Sequence, residues 1–171
     1  MRVLAVDPAP KGKPVHVERI YEPDQLKEML AEVDFLTICV PHTGQTEHMI
    51  DADAIKAMKK SAILINIGRG KVLDLNALTL ALEAGELAGA ALDVFEEEPL
   101  REGHPLWAME NVIVTPHVAA HSDEIEPRRY TLIVENVRRF CAGERLLNVV
   151  DKQAGYVVEK NDDDTFEHTL R

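Results

Sequence analysis

Asp7, the pair Pro41-His42, the stretch from Asn66 to Gly70, Asp93 and the pair Pro116-His117 each follow a short apolar run directly. In open parallel sheets, ligands bind beyond the carboxyl ends of the strands, so these are the positions where chemistry is expected. Asp7 closes Val3-Leu4-Ala5-Val6, which is where a dinucleotide fold places the acid that hydrogen-bonds a ribose 2′-hydroxyl. Its charge would repel a 2′-phosphate and favour NAD over NADP. Lys11 and Lys13 soften that preference, and a turn or cap aspartate is an equal reading of the position taken alone. Arg69 stands between Gly68 and Gly70. Glycines let backbone approach a ligand, and a guanidinium fork matches a carboxylate; the competing reading is a tight turn with a solvated arginine. Glu98 ends three consecutive glutamates, by themselves a solvated charge run, and a lone His117 is more often structural. Brought together by a fold, the two make an acid pair, because a carboxylate beside an imidazole raises its basicity and fixes its tautomer.

Other groupings carry less. His117 and His121 have helical metal spacing, but Pro116 and the loop composition oppose a helix there, and His42 and His48 lack a third ligand, so no metal is expected. Cys39 lies inside an apolar run and reads as core. No Gly-x-Ser-x-Gly nucleophile motif occurs. Trp107 could wall a pocket, although a buried core tryptophan is the preferred reading.

The elements that must position these residues are legible from periodicity. Apolar runs at residues 2–6, 35–40, 62–65, 88–92 and 111–114 read as buried strands, with 15–20 as a short strand or strand-like approach. Helical patterns lie between them at 24–33, 51–58 and 74–84, the last stopped by Gly85. Alternation of this kind predicts right-handed crossovers and an α/β fold with a doubly wound parallel sheet. A long helix follows at 124–141, ended by Gly143. Residues 1–150 then form the domain, and 151–171, with Asn161-Asp162-Asp163-Asp164, an acidic and poorly ordered tail.

At 171 residues, 46% hydrophobic and 29% charged, one globular domain is expected rather than a disordered or membrane chain. Nineteen Lys and Arg against thirty Asp and Glu give a net charge of −11, which repels a phosphate backbone and argues against a nucleic-acid or anionic-membrane partner. No run approaches the length needed to span a bilayer, and the residues after Met1 read as a strand-like segment rather than a signal peptide, so a soluble protein is expected. The two cysteines show no metal-like spacing, which points to a reducing cytoplasm.

Five stretches, in order, carry a resemblance: Val6-Asp7-Pro8; Val40-Pro41 with Thr43 to Thr46; Asn66-Ile67-Gly68-Arg69-Gly70; Gly89 to Phe95 with Glu98-Pro99-Leu100; and Asn111 to His117. The sequence closely resembles the D-isomer-specific 2-hydroxyacid dehydrogenases, which include phosphoglycerate dehydrogenase and the glyoxylate/hydroxypyruvate reductases. The resemblance implies a Rossmann-like NAD-binding domain and reversible hydride transfer between NADH and a short 2-keto acid, working as a homodimer. Arg69 matches the arginine that binds the substrate carboxylate, His117 the acid/base, and Glu98 the carboxylate that orients it. Asp7, Val40, Pro41, Ile67, Gly68 and Asp93, with Arg69 and His117, match cofactor-contacting positions, Asp93 near the nicotinamide amide. Pro105-Leu106-Trp107 and Pro116-His117-Val118-Ala119-Ala120-His121 look most similar to the glyoxylate/hydroxypyruvate branch, although many relatives carry Gly-Gly or Gly-Ala where this chain has Ala119-Ala120.

No Gly-x-Gly-x-x-Gly fingerprint occurs in the 171 residues: after Gly68-x-Gly70 the third glycine position holds Leu73. The fingerprint normally lies about 20 residues before the ribose acid, so the expectation is a domain lacking its first βα unit. A truncated dehydrogenase would then bind NADH negligibly as this chain, with activity belonging to the complete protein. The alternative is a catalytically silent remnant or dimerising interaction module.

Overall fold

The computed structural model describes residues 1–157 apart from residues 11 and 154; the acidic run at 161–164 lies outside them. It divides into two compact units, Met1–Ala119 and a second beginning at Ala120.

Strands β1 (Leu4–Val6) and β2 (Arg19–Tyr21) pair in parallel as one small sheet. Strands β3 (Phe35–Ile38), β4 (Ile63–Asn66), β5 (Gly89–Leu92) and β6 (Val112–Val114) form a four-stranded parallel sheet in sequence order. Helices α1 (Leu26–Leu30), α2 (Ala52–Ala57) and α3 (Leu75–Glu83) connect them, giving an α/β, Rossmann-like unit. One cluster of buried side chains runs through both sheets and includes Tyr21, Leu36, Leu64 and Leu92.

Local chemistry sets the helix ends. The Asp51 carboxylate accepts from the Ala54 N–H at 2.8 Å and that of Asp74 from Ala77 at 2.9 Å, satisfying donors that a first turn leaves free. The pattern at 24–33 predicts one long helix, but Pro23 opens a 3₁₀ turn and α1 stops at Leu30. The Glu32 carbonyl instead accepts from the Lys59 ammonium. The short strand expected at 15–20 falls at Arg19–Tyr21.

Burial on β3 alternates, with Leu36 and Ile38 inward and Phe35 and Thr37 outward. Cys39 continues the outward phase and is exposed, which corrects its reading as core: a strand turns successive side chains to opposite faces whatever their polarity.

Glycines matter where chains touch backbone to backbone. A Cβ on Gly70 would lie 1.9 Å from the carbonyl carbon and oxygen of Phe95, and one on Gly89 2.5 Å from the Asn111 oxygen. Gly44 faces open space. Gly70→Ala is therefore expected to cost about 3 kcal/mol or more, a fall in melting temperature of roughly 6–12 °C by calorimetry. Gly44→Ala should leave the melting temperature within about a degree, as surface changes do. Equal melting of Gly70→Ala and the parent would sink this account.

In the second unit, α4 (Ile125–Ala142) ends at Gly143, whose φ of 70° supplies the left-handed cap. The Asn136 amide clips the returning chain by accepting from Leu147 N–H and donating to Leu147 carbonyl. Guanidinium groups of Arg138 and Arg139 donate to Glu135 and lower its carboxyl to about 2. Tyr130, Ile133, Val134, Val137 and Phe140 recur at helical spacing and are exposed. Beyond α4, where the pattern decays in sequence, β7 (Val150–Asp151) and β8 (Tyr156–Val157) form a short antiparallel pair. No helix of the described residues is long and apolar enough to cross a membrane.

Candidate active site

Four loops leave the carboxyl ends of β3 to β6. The one after β4 is organised by Asn66, which is fully buried: its side-chain oxygen accepts from Gly68 N–H at 3.1 Å and its amide donates to the Arg69 carbonyl at 3.2 Å. Ile67 N–H donates to the Ile38 carbonyl at 3.1 Å, and a Cβ on Gly68 would stand 3.0 Å from the Val40 carbonyl oxygen. The turn is thus pressed onto the end of β3, where Val40 and Pro41 lie. Arg69 is exposed at its tip, with Nη1 donating back to the Gly68 carbonyl at 2.7 Å. Ile67 beside it is 46% exposed, an isoleucine presented outward at a strand end.

The loops after β5 and β6 meet. His117 Nδ1 lies 2.8 Å from Glu98 Oε2, and Glu98 Oε1 accepts from the Phe95 N–H at 3.0 Å. Partial desolvation opposes ionisation of Glu98, but hydrogen bonds from the His117 ring and Phe95 N–H outweigh it and hold the carboxyl below its usual range. An ionised Glu98 can only accept, so Nδ1 carries the proton toward it and Nε2 is left for exchange with a ligand. His117 is held at φ 56°, a left-handed backbone uncommon for a residue with a Cβ.

Asp93 is buried at 4% exposure, and its carboxylate accepts from the Thr115 hydroxyl and from Val118 and Ala119 N–H. Burial works against its charge, and those three donors, helped by His117, more than offset it, so its carboxyl is also lowered. The ordinary values are 4.5 for Glu98 and 3.8 for Asp93. Lowered folded values mean stability that is present in full above the ordinary values and lost as pH falls through them toward the folded ones. Melting temperatures recorded from about pH 6 down to pH 3 should drop, and drop less in Glu98→Gln. An identical pH dependence in that variant would contradict the assignment.

Asp7 stands at the end of β1, exposed, its Oδ1 accepting from Ala9 N–H at 2.9 Å in a local turn. The turn reading and the ribose-acid reading of Asp7 are compatible, because one carboxylate has several acceptor sites. A cavity of about 530 Å³ adjoins the His117 and Glu98 pair, walled by Phe95, Leu100 and Trp107. Trp107 is 56% exposed, not buried core; its indole N–H reaches the Arg101 carbonyl at 3.0 Å, which holds the ring at the surface. Among the described residues no three His, Cys, Asp or Glu side chains gather as a metal cage.

Sequence reasoning missed Asn66 and Thr115 as organisers of these loops. Asn before a glycine-rich strand end was the available signal for the first; nothing in spacing pointed to the second.

The profile of the family described as D-isomer specific 2-hydroxyacid dehydrogenase, NAD binding domain, matches residues 1–119. A glyoxylate reductase of Aeropyrum pernix is 44% identical over 128 residues, 75% of this chain and 38% of the relative. A D-3-phosphoglycerate dehydrogenase of Methanocaldococcus jannaschii is 39% identical over 154 residues, 88% of this chain and 29% of the relative. The chain spans less than half the length of the curated relatives it matches. The solved structure of a D-isomer specific 2-hydroxyacid dehydrogenase from Xanthobacter autotrophicus, in complex with NADPH and MES, superposes with a TM-score of 0.78 at 35% identity, covering 91% of this chain and 73% of that one.

Proposed function

Because this chain belongs to the D-isomer-specific 2-hydroxyacid dehydrogenase family through its NAD-binding domain, we propose that it serves hydride transfer between NAD(H) and a short 2-keto or 2-hydroxy acid of the glyoxylate/hydroxypyruvate type. The observation that carries this reading is the His117 and Glu98 pair, a proton-transfer group already oriented by an ionised carboxylate.

The cofactor, when bound, supplies or takes the hydride; this chain's residues do the rest. Asp7 accepts from the ribose hydroxyls, while Val40, Pro41, Ile67 and Gly68 present backbone and apolar surface toward the cofactor. Arg69 holds the substrate carboxylate in a fork of N–H donors and polarises the adjacent carbonyl. His117 delivers its Nε2 proton to the carbonyl oxygen, and Glu98 stabilises the orientation of the ring throughout.

Asp7 supports NAD over NADP, whereas the Xanthobacter relative is complexed with NADPH. In an enzyme containing this domain, kcat/KM with NADH is expected to exceed that with NADPH by at least about tenfold, since one uncompensated charge contact is worth roughly 1.4 kcal/mol or more. Asp7→Ser should narrow the ratio. Equal use of both cofactors by the parent would remove Asp7 from its role. We also take the working form to be a homodimer, as the resemblance implies, in a reducing cytoplasm, as the cysteine usage suggests; sedimentation velocity tests the first point. The alternative, a silent interaction module, predicts no turnover with either cofactor.

A further inference from the structure

We propose that Asp93 is a positioning residue for His117, a buried carboxylate that folds residues 115–119 around itself and thereby holds the imidazole against Glu98. The inference rests on the reading of His117 as the acid/base group and assigns Asp93 a task other than the nicotinamide contact that the family resemblance implies for it.

The donors bracket His117 on both sides. Asp93 Oδ1 accepts from Thr115 Oγ1 at 2.6 Å and from Val118 N–H at 2.8 Å, and Oδ2 accepts from Ala119 N–H at 2.8 Å. A carboxylate offers about four acceptor sites, so three of them are committed to this one loop. His117, between the donors, is the residue that turns left-handed, with φ 56°. A side chain with a Cβ keeps that conformation only where its surroundings over-determine it. Here the surroundings are a charged acceptor at 4% exposure, where hydrogen bonds are stronger than in water. Asp93 is itself fixed, its N–H donating to the Asn66 carbonyl at 3.0 Å at the end of β4.

Glu98 acts from the same segment, five residues on. The loop after β5 therefore holds His117 twice, its backbone through Asp93 and its ring through Glu98. Without Asp93, the turn has no acceptor for two adjacent N–H groups, and the ring loses the backbone geometry that points Nδ1 at Glu98.

The test is nuclear magnetic resonance on the ¹⁵N-labelled 171-residue chain, without substrate or cofactor. Three signals are read: the His117 Nδ1 proton, the His117 coupling that reports a left-handed φ, and hydrogen exchange at Val118 and Ala119. In Asp93→Asn, exchange at the Nδ1 proton and at these two amides should accelerate roughly ten- to a hundredfold, the coupling should average, and the Leu64 amide in β4 should keep its protection. Thr115→Val, which removes one bond of the three, should show a smaller acceleration of the same signals; it carries the test alone if Asp93→Asn does not fold. Unchanged His117 signals in a folded variant, or equal acceleration at Leu64 and Ala119, would overturn the proposal, the second because it would make Asp93 a general stabiliser only. Since no turnover is measured, this outcome is separate from that of the proposed activity.

Discussion

Replacing His117 with alanine in an enzyme containing this domain is expected to lower kcat for glyoxylate or hydroxypyruvate reduction by about 10²–10⁴-fold, the range contributed by a positioned general acid. The loss should fall mainly on kcat, because the proposed general acid would act on the carbonyl oxygen as it gains charge, not on the bound ground state. Glu98→Gln keeps shape and removes the charge; it should lower kcat less than His117→Ala does, since the ring remains but its Nδ1–H faces a neutral amide oxygen in place of the 2.8 Å carboxylate contact. The double variant should be little worse than His117→Ala, because residues acting as a unit are not additive. Loss of NADH absorbance measures all three. A His117→Ala rate within about threefold of the parent, a change of under 1 kcal/mol, would show that the proton comes from elsewhere.

The second large effect is expected at Arg69. A guanidinium gripping a carboxylate makes two charge-assisted hydrogen bonds, each worth about 1.5–3 kcal/mol, so Arg69→Ala should reduce kcat/KM by roughly 10²–10⁴-fold. Part should appear in KM, from the lost grip, and part in kcat, from the lost polarisation of the neighbouring carbonyl. Arg69→Lys should recover little, because a single ammonium cannot reproduce a planar fork. The backbone is a poor alternative explanation: Asn66 holds the turn through Gly68 N–H and the Arg69 carbonyl, and the only bond to the turn that the substitution removes is that of Arg69 Nη1 to the Gly68 carbonyl. A KM for the keto acid unaltered by Arg69→Ala would mean that the carboxylate is bound by another cation.

Much of the framework was legible because its causes are local. Buried parallel strands are apolar on both faces, and the runs before Asp7, Asn66, Asp93 and Pro116 announce themselves by composition alone. Asp51 and Asp74 read as helix starts, and both prove to be caps. The less legible parts depend on which face a side chain meets or on partners distant in sequence. Cys39 has the composition of core yet takes the exposed phase of β3, and Trp107 is apolar yet anchored to a surface carbonyl. Glu98 could be told from Glu96 and Glu97 only through the family pattern; in the structure Glu96 instead accepts from Leu75 N–H at the start of α3. The grip of Asp93 on residues 22 to 26 positions further along has no trace in spacing at all.

The contact between Gly70 and the Phe95 carbonyl bears on motion. Where two backbones touch with no room for a methyl group, neither segment can slide or tilt without carrying the other, since packed interiors yield in steps and not continuously. Arg69 precedes that contact by one residue and Glu98 follows it by three. Arg69 and the Glu98 carboxylate that meets His117 are therefore tied through this contact, and a movement of either segment carries the other with it.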